Sequence, residues 1–310
     1  MRPLLNVDNP MMKAPVIAFL GIGLMGQPMA LRLLGAGFGV RAWNRTAAKA
    51  EALRAAGAQP CAAVADALRG AQMVISMLED GAAVDAVIDA ALAGVAPGTL
   101  WIDMSSTQHS EALAFHARLD AVGCGFLDAP VSGGVAGAQA GTLAIMAGGA
   151  AGDFAMAEPV LAALGKPTLV GPAGSGQVAK LCNQLIVGGT LNLVAEALLL
   201  AQAAGADPAA VRHAIRGGFA ESRILEVHGQ RMLDRNFVPG GQVKSQLKDL
   251  RNVLVAAASA GVVLPLTALV STSYESIEAE HSHADQSAAL LALEKRNPGQ
   301  RLGALPDLLP

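Results

Sequence analysis

Short β-branched and apolar runs alternate with alanine-rich stretches of helical spacing through the first half of this 310-residue chain. Residues 16–20, 39–44, 73–78, 100–104 and 126–131 read as strands. Residues 24–34, 47–56, 81–92 and 107–122, which lie between them, carry helical periodicity. That alternation predicts a mostly parallel sheet covered by helices on both faces. Two further apolar runs, 142–147 and 168–170, extend the sheet around a helix at 153–164. After Gly176 the pattern changes. Apolar residues recur at helical spacing from 177 to 204, and the Gly188-Gly189 pair only weakens the run. A helix of that length spans about 40 Å, which suits a spine joining two domains better than a crossover. Helices then follow at 208–216, 223–233, 246–260, 266–281 and 286–296, with Asp207-Pro208 and Pro265 as starts. The expected division is a flexible extension (1–12), a nucleotide-sized α/β domain (13–173) and an all-α domain (174–310).

Composition narrows the classes. The chain is 53% hydrophobic and carries a formal net charge of −3, which argues against a nucleic-acid partner. The mean hydropathy of +0.43 raises the question of a membrane. The most apolar stretch, 185–204, contains Asn192, Glu196 and Gln202, so it is read as a soluble helix and not as a span. The run at 16–20 is short and lacks a cleavage pattern, so no signal peptide is expected. Cys61, Cys124 and Cys182 are odd in number and far apart, which fits neither a disulfide scaffold nor a zinc site and favours a reducing cytoplasm. His281 and His283 read as a solvated helix end, and no metal is expected. Lysine is scarce: Lys13, Lys49, Lys166, Lys180, Lys244, Lys248 and Lys295 are all there are.

The first chemical motif, Gly21-Ile22-Gly23-Leu24-Met25-Gly26, follows a strand, opens a helix and precedes a second strand by about 20 residues. Gly21 permits the tight turn, Gly23 lets a pyrophosphate reach the backbone, and Gly26 packs helix on strand, so the α/β domain reads as Rossmann-type. The second strand ends in Asn44-Arg45-Thr46, where an NAD site usually carries an acid. A guanidinium there can pair with a ribose 2′-phosphate, so NADP is the preferred cofactor and NAD a possible one. Arg45 as a surface residue and Thr46 as a helix cap remain compatible with that role.

Two later motifs point to a substrate. Asp128-Ala129-Pro130-Val131-Ser132-Gly133-Gly134 is a glycine turn whose backbone amides can receive a carboxylate. Plain loop architecture accounts for the glycines equally well. Downstream, Lys180, Asn183 and Gln184 stand at i, i+3 and i+4 on one face of an apolar helix. A lysine is costly there unless it is useful, because desolvation disfavours its charged form. A lysine snorkelling from a helix end is the competing reading.

Taken in order, these motifs resemble the β-hydroxyacid dehydrogenase family, from about Pro15 to Arg296, with a fourth at Gln246-Leu247-Lys248-Asp249-Leu250. The resemblance implies that Lys180 is the catalytic lysine and that Ser132, Gly133 and Gly134 hold the substrate carboxylate. It further implies that Asn183 and Gln184 place the substrate, and that Lys248 closes on substrate and cofactor from the helical domain. Gly21, Gly23, Leu24, Met25, Gly26, Asn44, Arg45 and Thr46 would hold the cofactor, with Met77, Leu78, Ser105 and Ser106 beside the nicotinamide. Lys-Leu-X-Asn-Gln, Ala214-Ile215-Arg216-Gly217-Gly218 and Met232-Leu233-Asp234-Arg235-Asn236-Phe237 resemble the tartronate semialdehyde (2-hydroxy-3-oxopropionate) reductase branch more than the 3-hydroxyisobutyrate branch. One position departs from the family: Gly241 stands where a phenylalanine usually follows Pro239-Gly240, which would enlarge the pocket.

The implied reaction is reversible reduction of a small semialdehyde acid to a β-hydroxyacid. Hydride would come from NADPH and a proton from Lys180, whose ordinary pKa of about 10.4 would be lowered toward working pH by burial. Arginine could not serve, because it does not usefully deprotonate. Succinic semialdehyde-type or 3-hydroxyisobutyrate chemistry is the alternative within the enzyme class. Reductases of cyclic imines typically replace the lysine, and non-catalytic NADP-binding interaction modules of this fold lose it, so Lys180 counts against both. The long apolar helix favours a homodimer or homotetramer.

Overall fold

The computed structural model describes residues 15–310, and the expected extension at 1–12 lies outside them. Nine strands form one sheet: β1 (Val16–Leu20), β2 (Gly39–Trp43), β3 (Gln59–Pro60), β4 (Met73–Ser76), β5 (Leu100–Asp103), β6 (Gly125–Asp128), β7 (Val131–Ser132), β8 (Leu143–Gly149) and β9 (Gly165–Gly171). Their order is β3-β2-β1-β4-β5-β6-β8-β7, with β9 paired to β8. The first six are parallel. That order reverses between β1 and β4, which opens a crevice at the carboxyl ends of those strands. β8 then runs antiparallel to β6 and β7, and parallel to β9.

Strands β4, β5 and β6 are buried along their whole length, because helices cover both faces. Alternation sorts their side chains between two cores. Ile17, Phe19, Ile75, Ile102 and Leu127 pack on one side, and Ala18, Leu20, Val74, Trp101 and Phe126 on the other.

Several expected elements are altered. The strand expected at 126–131 ends at Asp128. Pro130 has no N–H to give, and the chain resumes as the short β7 against β8. The helix expected at 47–56 becomes Ala47–Glu51 and a 3-10 turn, Arg54–Ala56, closed by Gly57 at φ +99°. The helix expected at 266–281 divides into Pro265–Glu275 and Glu278–His281. Helices Val64–Leu68 and Gly134–Ala140 and the two-residue strands β3 and β7 are additions too short to show a period in sequence.

The chain separates into two compact units between Lys180 and Leu181, inside the continuous helix Ser175–Ala203. The second unit is helical apart from two isolated bridges, Asn236 with Leu308 and Gln242 with Asp285. Asp207 and Ser222 accept from Ala209 N and Leu225 N, which fixes the starts of Pro208–Ala214 and Arg223–Leu233. The long helix bears on one sequence expectation. With a mean hydropathy of 1.6 over an 18-residue window, it is long and apolar enough to cross a membrane by length and composition. Its apolar content has a use within the protein, because Leu191, Val194, Ala195 and Leu198 belong to the core of the second unit.

Candidate active site

The glycine loop sits at the crevice between β1 and β4. Gly21 has φ +107°, and a Cβ there would lie 2.3 Å from Met77 O. A Cβ on Gly26 would lie 1.9 Å from Gly21 O, so the helix Gly26–Gly35 can approach only without one. Gly23 differs: a Cβ on it would meet nothing within 4 Å. The fold itself does not require a glycine at 23, but a bound pyrophosphate passing over that backbone does. The loop therefore fits a dinucleotide. Leu24 is exposed, and Met25 packs against the core below.

Asn44 pins the loop from the end of β2. Its Oδ1 accepts from Ile22 N at 2.9 Å and its Nδ2 donates to Thr46 O at 3.1 Å. Arg45 is exposed and makes no ion pair among the described residues, which leaves its guanidinium available. Thr46 precedes the helix Ala47–Glu51 without capping it through its side chain.

A buried polar network supports the segments on the other side of the crevice. Asp103 Oδ1 accepts from Ser76 Oγ and Ser105 Oγ, both at 2.7 Å, and Trp101 Nε1 donates to Ser76 Oγ at 2.9 Å. Ser105 Oγ also accepts from Leu78 N at 2.9 Å, which holds the Met77-Leu78 segment in place. Ser105 is fully buried and acts from beneath the site, whereas Ser106 is half-buried. Asp103 and Asp128 are register neighbours on β5 and β6. Burial pushes the Asp103 carboxyl up to about 6, against the hydrogen bonds from Ser105 and Ser76. Burial likewise pushes Asp128 up to about 6, against the amides of Gln177 and Gly174, and the neighbouring Asp103 adds to the rise. Asp103 Oδ2 is buried with no hydrogen-bond partner.

The turn expected to receive the substrate follows β6. Gly133 and Gly134 are exposed, with φ of +139° and +62°, so the turn needs two glycines in succession. Ser132 is half-buried beside them. Lys180 is only 9% exposed, and its Nζ donates to Val131 O at 2.9 Å. The amine thus lies against the turn that the sequence assigned to the substrate carboxylate.

The remaining expected residues lie in the second unit. Asn183 Nδ2 donates to Gln184 Oε1 at 2.8 Å, and Gln184 Nε2 donates to Asp249 Oδ2 at 2.6 Å. Gln246 Nε2 donates to Gln184 O at 3.0 Å, so Gln184 ties the long helix to Val243–Ser259. Lys248 Nζ is 3.6 Å from Asp249 Oδ1. Gly241 belongs to a loop whose amides, with that of Gly240, are received by Asp285. The Met232–Phe237 motif has a structural use: Arg235 is buried and pairs with Glu294 and Asp307. Sequence reasoning gave no role to Asp103, Asp128 or Gln177. Asp128 opens the glycine-turn motif, and residue 177 opens the long helical stretch.

Two family descriptions match. The NAD-binding domain of 6-phosphogluconate dehydrogenase covers residues 16–206. The NAD-binding domain of NADP-dependent 3-hydroxyisobutyrate dehydrogenase covers residues 174–293. The 2-hydroxy-3-oxopropionate reductase of Escherichia coli K12 is 39% identical over 283 residues, covering 90% of this chain and 97% of that one. The chain belongs to the β-hydroxyacid dehydrogenase family. A probable 3-hydroxyisobutyrate dehydrogenase of Mycobacterium tuberculosis H37Rv is 35% identical over 290 residues, covering 90% of this chain and 98% of that one. The solved structure of the M. tuberculosis 3-hydroxyisobutyrate dehydrogenase with L-serine superposes at TM-score 0.84 and 33% identity, covering 90% of this chain and 99% of that one. This β-hydroxyacid dehydrogenase is an NAD(P)-dependent oxidoreductase acting on a CH–OH group.

Proposed function

We propose that this β-hydroxyacid dehydrogenase reduces 2-hydroxy-3-oxopropionate to D-glycerate, with NADPH preferred over NADH, in the cytoplasm. The 39% identity to the E. coli reductase over nearly the full length of both chains supports the substrate. The observation that carries the chemistry is the 2.9 Å hydrogen bond from Lys180 Nζ to Val131 O, which holds a proton donor at the glycine turn. Arg45, exposed at the end of β2 and without an ion-pair partner among the described residues, supports the NADPH preference. Among the described residues Cys61, Cys124 and Cys182 form no disulfide.

The reduced nicotinamide, when bound, supplies hydride to the carbonyl carbon. Ser132, Gly133 and Gly134 receive the substrate carboxylate through hydroxyl and backbone N–H groups and fix the carbonyl in place, an orientation effect worth several kcal/mol. Lys180 in its ammonium form gives one proton to the carbonyl oxygen, leaving a hydroxyl and a neutral amine. In the reverse direction the neutral amine takes the hydroxyl proton. Lys248, Asn183 and Gln184 as substrate residues rest on their motifs alone. Replacing Lys180 by methionine tests this chemistry: NADPH binding should persist while kcat falls by about 10²–10⁴. A Lys180→Met protein with near wild-type kcat would contradict it.

Gly241, in place of the aromatic residue usual in the family, favours a second reading with a larger substrate, of 3-hydroxyisobutyrate or succinic semialdehyde type.

A further inference from the structure

The lysine helix is held at its first turn as well as at its lysine. Asp128 is fully buried at the end of β6. One carboxylate oxygen accepts from Gly174 N at 2.7 Å and the other from Gln177 N at 2.8 Å. Two glycines clear the space around it. A Cβ on Gly148 would stand 2.6 Å from Asp128 Oδ1, and one on Gly176 would stand 2.8 Å from Oδ2 and 2.3 Å from the Asp128 carbonyl oxygen. Three residues further along the same stretch, Val131 O accepts the Lys180 amine. Residues 128–131 therefore grip the helix twice, at its start and at its reactive atom.

Gln177 adds a third hold. It is fully buried, its Nε2 donates to Ser105 O at 2.8 Å, and its Oε1 accepts from Thr107 N at 3.1 Å. Ser105 also receives the Leu78 amide, so the turn that precedes Lys180 is joined to the segments beside the nicotinamide crevice. A surface serine or threonine would cap a helix adequately. Burying a carboxylate with two backbone amides costs more than that task needs, unless the placement of the helix matters.

We propose, on the reading of Lys180 as proton carrier, that Asp128 and Gln177 are positioning residues that set where the Lys180 amine stands relative to the substrate turn. Asp128→Asn keeps the shape but turns an NH2 toward a backbone donor. Gln177→Glu keeps the acceptor for Thr107 N and removes the donor to Ser105 O. In the full-length protein with NADPH, kcat should fall about tenfold or more in Asp128→Asn and about threefold or more in Gln177→Glu. The NADPH Kd should stay within about twofold and the aldehyde KM within about threefold of wild type, since both side chains are fully buried and engaged with backbone groups. If both variants keep kcat within twofold while Lys180→Met is inactive, Lys180 stands as proton carrier and the positioning role is overturned. A loss of NADPH affinity equal to the loss of kcat in both variants would also overturn it, as general damage. If Lys180→Met keeps near wild-type kcat, the proton-carrier reading falls and the positioning role falls with it. If Asp128→Asn does not fold, Gln177→Glu decides by the same criteria.

Discussion

On our reading, Arg45 and Lys180 divide the work of the site between charge recognition and proton transfer. Arg45 is exposed at the end of β2 and acts, on our reading, only on the ribose 2′-phosphate. Arg45→Ala should therefore raise the KM for NADPH about tenfold or more, the worth of one or two hydrogen bonds to a charged group, and leave the KM for NADH within about twofold. Equal losses with both cofactors would remove Arg45 from the 2′-phosphate. Both residues stand out in the sequence because each breaks an expectation, a base where an acid is usual and a lysine inside an apolar helix. Asp128 and Gln177 do not. Their partners are backbone amides and carbonyls 46 to 72 residues away, and a side chain gives no address for a backbone group. Ser105 was legible as a strand-end serine, but nothing in the sequence said that it faces inward to Asp103 and Leu78.

At the scale of elements, the glycine loop separates packing from ligand binding within six residues. Gly26→Ala should destabilise the fold, because its Cβ would meet Gly21 O at 1.9 Å and the helix would have to move. Gly23→Ala should leave the apo melting temperature within about 2 °C, since open space surrounds that position, and should weaken NADPH binding about tenfold or more. A Gly23→Ala protein that binds NADPH normally would mean that the pyrophosphate does not cross this backbone. The loop was readable because strand, glycines and helix follow each other without a gap. β3 and β7 were not readable, because two residues show no period and their pairing is set by distant strands. The long helix was read correctly as an element; its three polar side chains leave its mean hydropathy high, and its apolar residues serve the core of the second unit.

Across the whole molecule, Asp103 and Asp128 place two acids side by side in the middle of the sheet, and their titration should appear in stability. Both carboxyls are raised from 3.8 to about 6 in the folded chain, mainly by burial. Between about pH 6 and 4 the folded chain takes up these protons before the unfolded chain does. Their contribution therefore stabilises the fold as pH falls through 6 and is lost as pH rises through it, by at most about 3 kcal/mol each. Comparing urea midpoints at pH 7.5 and 5.0, wild type should gain on Asp103→Asn as the solution is acidified; a gap independent of pH would contradict the shift. The same acids lie beneath a site whose residues all serve one reaction in our account, so the substrate remains the claim most worth testing. Initial rates with NADPH should be measured across tartronate, methylmalonate and succinate semialdehydes. The highest kcat/KM is expected with tartronate semialdehyde, by about tenfold or more over the others. A higher value with methylmalonate or succinate semialdehyde would contradict that assignment.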